Sequence, residues 1–70
     1  MPKLPGINHL RAVNAFKKAG FSIKREGGHI TMTNGERTIT IPRANPVNAI
    51  TMAGIIRDAG LTIEEFKQLL

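Results

Sequence analysis

The chain predicts an α+β fold: a three-stranded antiparallel sheet with helices on one face, in the order α-β-β-β-α followed by a short C-terminal helix. Three observations carry that expectation. Residues 29–33 and 38–42 alternate Ile or Met with His or Thr, the period of a half-buried strand. Gly27-Gly28 and Asn34-Gly35 precede and divide those two runs, and such dipeptides are hairpin residues. The flanking segments space their apolar residues at helical intervals instead.

Taken in order, helix 1 is expected over about residues 6 to 19. Ile7, Leu10, Val13 and Phe16 form its stripe, with Ala12, Ala15 and Ala19 between them, while Arg11, Lys17 and Lys18 fall outside it. Gly20 sits where a left-handed cap ends a helix. Strand 1 follows as Phe21 to Glu26, then the two alternating strands, which Pro42 stops because it has no N–H to donate. Residues 43–50 read as a polar, Pro-containing connection. Thr51 is the expected cap of helix 2, which runs to about Ala59 with Met52, Ile55, Ile56 and Ala59 inward and Gly60 closing it. Thr62-Ile63-Glu64-Glu65 is a capping box, so helix 3 starts there and presents Phe66, Leu69 and Leu70. Helices 2 and 3 invite comparison with a helix-turn-helix, but Glu64 and Glu65 would repel phosphate at the second helix's start.

Strand register follows from the turns. A two-residue loop at Asn34-Gly35 sets Thr31 opposite Thr38, Ile30 opposite Ile39 and His29 opposite Thr40. A two-residue loop at Gly27-Gly28 sets Glu26 opposite His29, Lys24 opposite Thr31 and Ile23 opposite Met32. Both registers gather apolar residues on one face. The other face reads Ser22, Lys24, Glu26, His29, Thr31, Thr33, Thr38 and Thr40, with Arg25 and Arg37 breaking the inward pattern near turns.

At 70 residues the chain predicts one domain, residues 1–70. It has no cysteine, so disulfides and thiolate zinc sites are excluded. Two separated histidines without a carboxylate cluster predict no metal, and no cofactor is expected. No apolar run reaches membrane-spanning length and no signal region opens the chain, so the expectation is a cytoplasmic protein without a membrane partner. The net charge is +5, concentrated toward the N-terminal side: Lys3, Arg11, Lys17, Lys18, Lys24, Arg25, Arg37 and Arg43 against Glu26 and Glu36 in residues 1–43. That distribution suits a polyanion such as nucleic acid, and it also suits a merely solubilising surface. With three Phe and no Trp or Tyr, stacking on bases is not the expected mode of recognition.

His29 is the residue that points to chemistry. The alternation puts it on the hydroxyl-bearing face, and imidazole exchanges protons near neutral pH. Glu26 as a cross-strand neighbour would favour the imidazolium. Lys24 and neighbouring arginines could hold a phosphate, and the 2′-hydroxyl of RNA could be the nucleophile. The plain alternative is an exposed histidine on a polar sheet face. His9, on helix 1 without an acidic neighbour, reads as a surface residue.

Several segments together suggest a family. Phe16-Lys17-Lys18-Ala19-Gly20-Phe21, Gly27-Gly28-His29, Ile41-Pro42-Arg43 and the run from Ile55 to Phe66 occur in order and at suitable spacing. On them, the chain resembles the HicA (YcfA-like) toxin family over nearly its whole length. The resemblance implies a double-stranded-RNA-binding-like fold, an mRNA interferase activity and a HicB-like antitoxin partner. It maps an essential catalytic histidine onto His29 and an RNA-binding basic surface onto Lys17, Lys18, Lys24 and Arg43. Three positions depart from the pattern: Gly28 stands where serine is usual, Ala44 where a second histidine often follows, and Ile50 where glycine often precedes helix 2.

Three functions therefore compete. The first is a metal-independent endoribonuclease toxin cleaving mRNA, with His29 as general acid or base and Lys24 or Arg43 on the phosphate. The second is a non-catalytic RNA-binding module of the same fold, which the missing second histidine favours. The third is a protein-interaction domain working through the open sheet face or the surface of helices 2 and 3.

Overall fold

A computed structural model describes residues 6–70, so Lys3, one of the basic residues above, lies outside the described residues. The elements are α1 (His9–Lys18), β1 (Ser22–Glu26), β2 (His29–Thr33), β3 (Thr38–Pro42), α2 (Ala49–Asp58) and α3 (Ile63–Leu69). The strands form one antiparallel sheet in the order β1-β2-β3. This is the expected α+β, double-stranded-RNA-binding-like arrangement. Ile30, Met32, Ile39 and Ile41 are buried beneath the helices, while His29, Thr38 and Thr40 are exposed on the other side.

α1 begins later than its spacing suggested. Asn8 caps it by accepting from the Leu10 amide at 2.8 Å. Ile7 is extended instead, bridging antiparallel to Val47 through backbone bonds of 3.2 and 2.7 Å. The buried stripe is Ala12, Val13, Ala15 and Phe16, and Leu10 is 59% exposed. The expected Ile7–Leu10–Val13–Phe16 repeat steps by three residues, which drifts about 60° per step around a helix. Its early members therefore cannot share a face with Phe16. Lys17 and Lys18 lie in the last turn, where positive charge complements the helix dipole.

The centre of the core is Phe16, with the Phe66 ring at 5.0 Å and the Phe21 ring at 5.8 Å edge-on. Truncating a buried phenylalanine costs about 3–5 kcal/mol, comparable to the whole stability of a small domain. α3 brings Phe66 there, and its capping box forms as the sequence predicts: the Thr62 amide donates to Glu65 Oε1 at 2.9 Å and the Glu65 amide to Thr62 Oγ1 at 3.1 Å. α2 buries Met52, Ile55 and Ile56, with Ala59 just after it. Its cap is Asn48, not Thr51; Asn48 Oδ1 accepts from the Thr51 amide at 2.8 Å. Asparagine outranks threonine as a cap, and the earlier start places Ile50 in the first turn, 88% exposed.

Both hairpins differ from expectation. Between β2 and β3 the loop has four residues, Asn34–Arg37, and β2 pairs Ile30 with Ile41, Thr31 with Thr40 and His29 with Pro42. A type I′ turn needs positive φ at both central residues, and Asn34 does not have it, since no non-glycine residue does among those described. Its side chain instead accepts from the Glu36 and Arg37 amides at 2.9 and 2.7 Å, an Asx-type turn. The register moves by two, so every side chain keeps its face.

Candidate active site

Among the described residues the core contains no polar or charged side chain, so the groups able to move protons or bind phosphate all lie at the surface. The open face of the sheet holds most of the candidates. His29 is exposed at the end of β2, on the side opposite Ile30 and Met32. It pairs with Pro42 on β3. It does not pair with Glu26.

The reason is a bulge in β1. Ile23 faces Met32 as the turn spacing predicts, with Ser22 opposite Thr33, but the register then slips by one, so that Arg25 faces Thr31 and Glu26 faces Ile30. Lys24 is the extra, exposed residue. The expected Glu26–His29 and Lys24–Thr31 pairs are therefore not formed. Residues opposite one another share a face, so the bulge turns Arg25 onto the open face beside Thr31. Sequence reasoning treated Arg25 as a break in the pattern. Three consecutive charges after Ile23, Lys24-Arg25-Glu26, were the available signal, because strict alternation would turn one inward and a bulge lets Lys24 and Arg25 both stay in solvent.

Arg43 lies next to His29 by two connections. It follows Pro42, the partner of His29, and its Nε donates to the carbonyl of Gly27 at 2.9 Å. The Gly27 amide in turn donates to the His29 carbonyl at 3.0 Å. A Cβ added at Gly27 or Gly28 would meet nothing within 4 Å, so the turn is open to solvent.

Lys17 and Lys18 are elsewhere. The start of α1 lies against the connection that follows β3, tied by the Ile7–Val47 bridge, by Asn8 Nδ2 donating to Asn45 Oδ1 at 3.0 Å, and by His9 Nδ1 at 3.2 Å from the Ala44 carbonyl. The two lysines end the helix, about 15 Å further on for ten residues. Lys18 is also occupied: its Nζ donates to the Leu69 carbonyl at 3.2 Å. The basic set thus divides into Lys24, Arg25 and Arg43 on the sheet and Lys17 and Lys18 at the far end of α1. His9 is half-buried and not a free surface residue. With a carbonyl as its neighbour, Nδ1 carries the proton and donates.

No group of three or more His, Cys, Asp or Glu among the described residues is placed to hold a metal ion. No helix among them is long and apolar enough to cross a membrane.

The family model for the HicA toxin of bacterial toxin-antitoxin systems matches residues 11–61. The chain belongs to the HicA toxin family. The matched segment of this HicA-family chain runs from the first turns of α1 to the turn before α3, so it includes the whole sheet, His29 and Arg43. Membership makes it the toxin partner of a toxin-antitoxin pair. Comparison with curated proteins and with solved structures gave no match.

Proposed function

We propose that this HicA-family toxin is a metal-independent endoribonuclease acting on mRNA in the cytoplasm, with His29 as the proton-transfer residue and a HicB-like antitoxin as its inhibitor. The observation that carries the reading is the placement of His29: exposed at the end of a central strand, with the Arg43 guanidinium held at the adjoining turn. A phosphodiester can approach an exposed imidazole there, and a cation lies within the same corner of the sheet.

The chemistry needs no nucleophile from the protein. Imidazole as general base removes the 2′-hydroxyl proton, O2′ forms a bond to phosphorus, and the bond from phosphorus to the 5′-oxygen breaks. The products are a 2′,3′-cyclic phosphate and a 5′-hydroxyl. The departing oxygen takes its proton from water or from an imidazolium, so His29 can serve one end of the reaction while solvent serves the other. Arg43, Lys24 and Arg25 offer positive charge for the phosphate oxygens, which gain charge as the new bond forms.

The test is cleavage of RNA by purified protein, compared between wild type and His29→Ala and between an all-ribose substrate and one with 2′-deoxyribose at the cut. The reading expects loss of cleavage in both. Tight RNA binding by wild type with no cleavage would instead favour the binding module, with Gly28 and Ala44 as the positions that lack accessory groups.

A further inference from the structure

We propose that Arg43 is a positioning residue: its Nε–H bond to Gly27 orders the Gly27-Gly28-His29 turn and so sets the orientation of the histidine. The inference rests on the reading of His29 as the proton-transfer residue, and it adds a role for Arg43 beyond supplying charge.

The sheet holds this corner poorly by itself. Pairing between β1 and β2 ends at Glu26 and Ile30, so on the β1 side His29 belongs to the turn. On the β3 side its partner is Pro42, and the pair exchanges no backbone hydrogen bond. The Asn34 amide donates to the Arg37 carbonyl, so bonded pairs recur at Met32–Ile39 and Ile30–Ile41 and skip His29. Two glycines precede it with no neighbour within 4 Å of where their Cβ atoms would be, and glycine gives up the most backbone freedom on ordering. Against that freedom stand two hydrogen bonds in series. Arg43 Nε donates to the Gly27 oxygen at 2.9 Å, and the Gly27 nitrogen donates to the His29 oxygen at 3.0 Å. Arg43 is anchored by the end of β3, so it transfers the rigidity of the sheet to the turn.

Arginine suits this double use. Its guanidinium has five N–H donors in a fixed fork. The Nε–H is spent on Gly27, and the four Nη hydrogens stay available for phosphate oxygens. Lysine carries the charge but puts its donor one bond further out. Glutamine lacks the charge but places an N–H donor the same number of bonds from the backbone as arginine Nε. The two substitutions therefore separate the bond from the charge.

The experiment compares wild type with Arg43→Ala, Arg43→Gln and Arg43→Lys, with Arg57→Lys on exposed α2 as control. Amide hydrogen exchange and nitrogen relaxation at Gly27, Gly28 and His29 give a readout independent of activity. Single-turnover cleavage separates the chemical step from RNA affinity. Arg43→Ala should speed exchange at Gly27 about five- to tenfold, as loss of one hydrogen bond implies, and lower the cleavage rate about tenfold or more through misplacement of the base. Arg43→Gln should restore the turn and most of the rate while leaving RNA affinity low; Arg43→Lys should restore affinity with a mobile turn and a low rate. The proposal is overturned if the turn is as ordered in Arg43→Ala as in wild type, or if Arg43→Gln behaves like Arg43→Ala in both order and rate. Should wild type itself cut no RNA, the nuclease reading fails, and the exchange data alone decide whether Arg43 orders the turn.

Discussion

Arg37 lies across Gly60: its Nε is 2.9 Å from the position a Cβ on Gly60 would take, and its Nη1 donates to the Asp58 carbonyl at 3.3 Å. The turn between β2 and β3 is thereby joined to the turn between α2 and α3. The guanidinium also lies at the C-terminal end of α2, where positive charge is favoured. In the sequence Arg37 breaks the inward pattern near a turn. It is exposed, but its stem crosses the helix cap on the way.

Backbone conformation separates two glycine substitutions, one inside α2 and one just after it. Gly60 has φ +79, a left-handed conformation costing other residues about 1–2 kcal/mol. Gly60→Ala should therefore lose about that much stability in urea titration, the Arg37 stem moving aside cheaply. Gly54 lies inside α2 with nothing within 4 Å of an added Cβ, so Gly54→Ala should gain about 0.5–1 kcal/mol from helix propensity. Equal effects of the same sign would contradict the geometry.

Gly28→Ser should fold without penalty. The added atoms meet open space and Gly28 has no positive φ, so the unfolded chain loses freedom and stability rises by up to about 1 kcal/mol. The new hydroxyl stands beside His29. If it aids the chemistry, cleavage per bound RNA rises; thermal melting checks the stability separately. A loss of more than a few degrees in Tm would mean that the turn does need a glycine here.

The two basic groups should answer to RNA length. Lys24→Ala and Arg25→Ala remove charge from the sheet, and each should lower the salt slope of single-strand binding by about 0.7. They should do so on short and long RNA alike. Lys17→Ala, about a helix length from His29 by the geometry of α1, should weaken binding of long RNA and leave a dinucleotide unaffected. Equal loss on the dinucleotide would place Lys17 at the phosphate being cut.

The order of elements, the faces of β2 and β3 and the capping box were legible because each rests on local pattern: Ile/Thr alternation, Thr62 and Glu65 at capping spacing, Gly20 after α1. Register was not, because it depends on which turn wins. Asn34 prefers to bond two amides through its side chain, and that choice adds two residues to the loop. The bulge at Lys24 was hidden for a similar reason. It trades one ladder position for keeping both Lys24 and Arg25 in solvent, a balance that alternation alone does not express. So His29 was placed on the right face while its neighbours were misassigned: Thr40 gave way to Pro42 on β3, Glu26 faces Ile30 on β1, and the Arg43–Gly27 bond had no signature in the sequence.

The decisive prediction concerns His29. A general acid or base contributes on the order of a hundred- to ten-thousand-fold in rate, so His29→Ala should reduce cleavage by that range. Its fold should stay intact, because the side chain is exposed and is no part of the buried core. RNA affinity should fall little, since the cations remain. Glu26→Gln serves as the matched control: its Cα partner is Ile30, and cleavage should continue near the wild-type rate. Chelation of divalent ions should leave wild-type cleavage in place, since the described residues offer no ligand cluster, and products should carry a 2′,3′-cyclic phosphate. Cleavage by His29→Ala at the wild-type rate, or arrest of the wild type by chelator, would show that the proton-transfer mechanism is wrong. A 5′-phosphate product would show that water, not the 2′-hydroxyl, attacks phosphorus, and would require a base placed to activate that water.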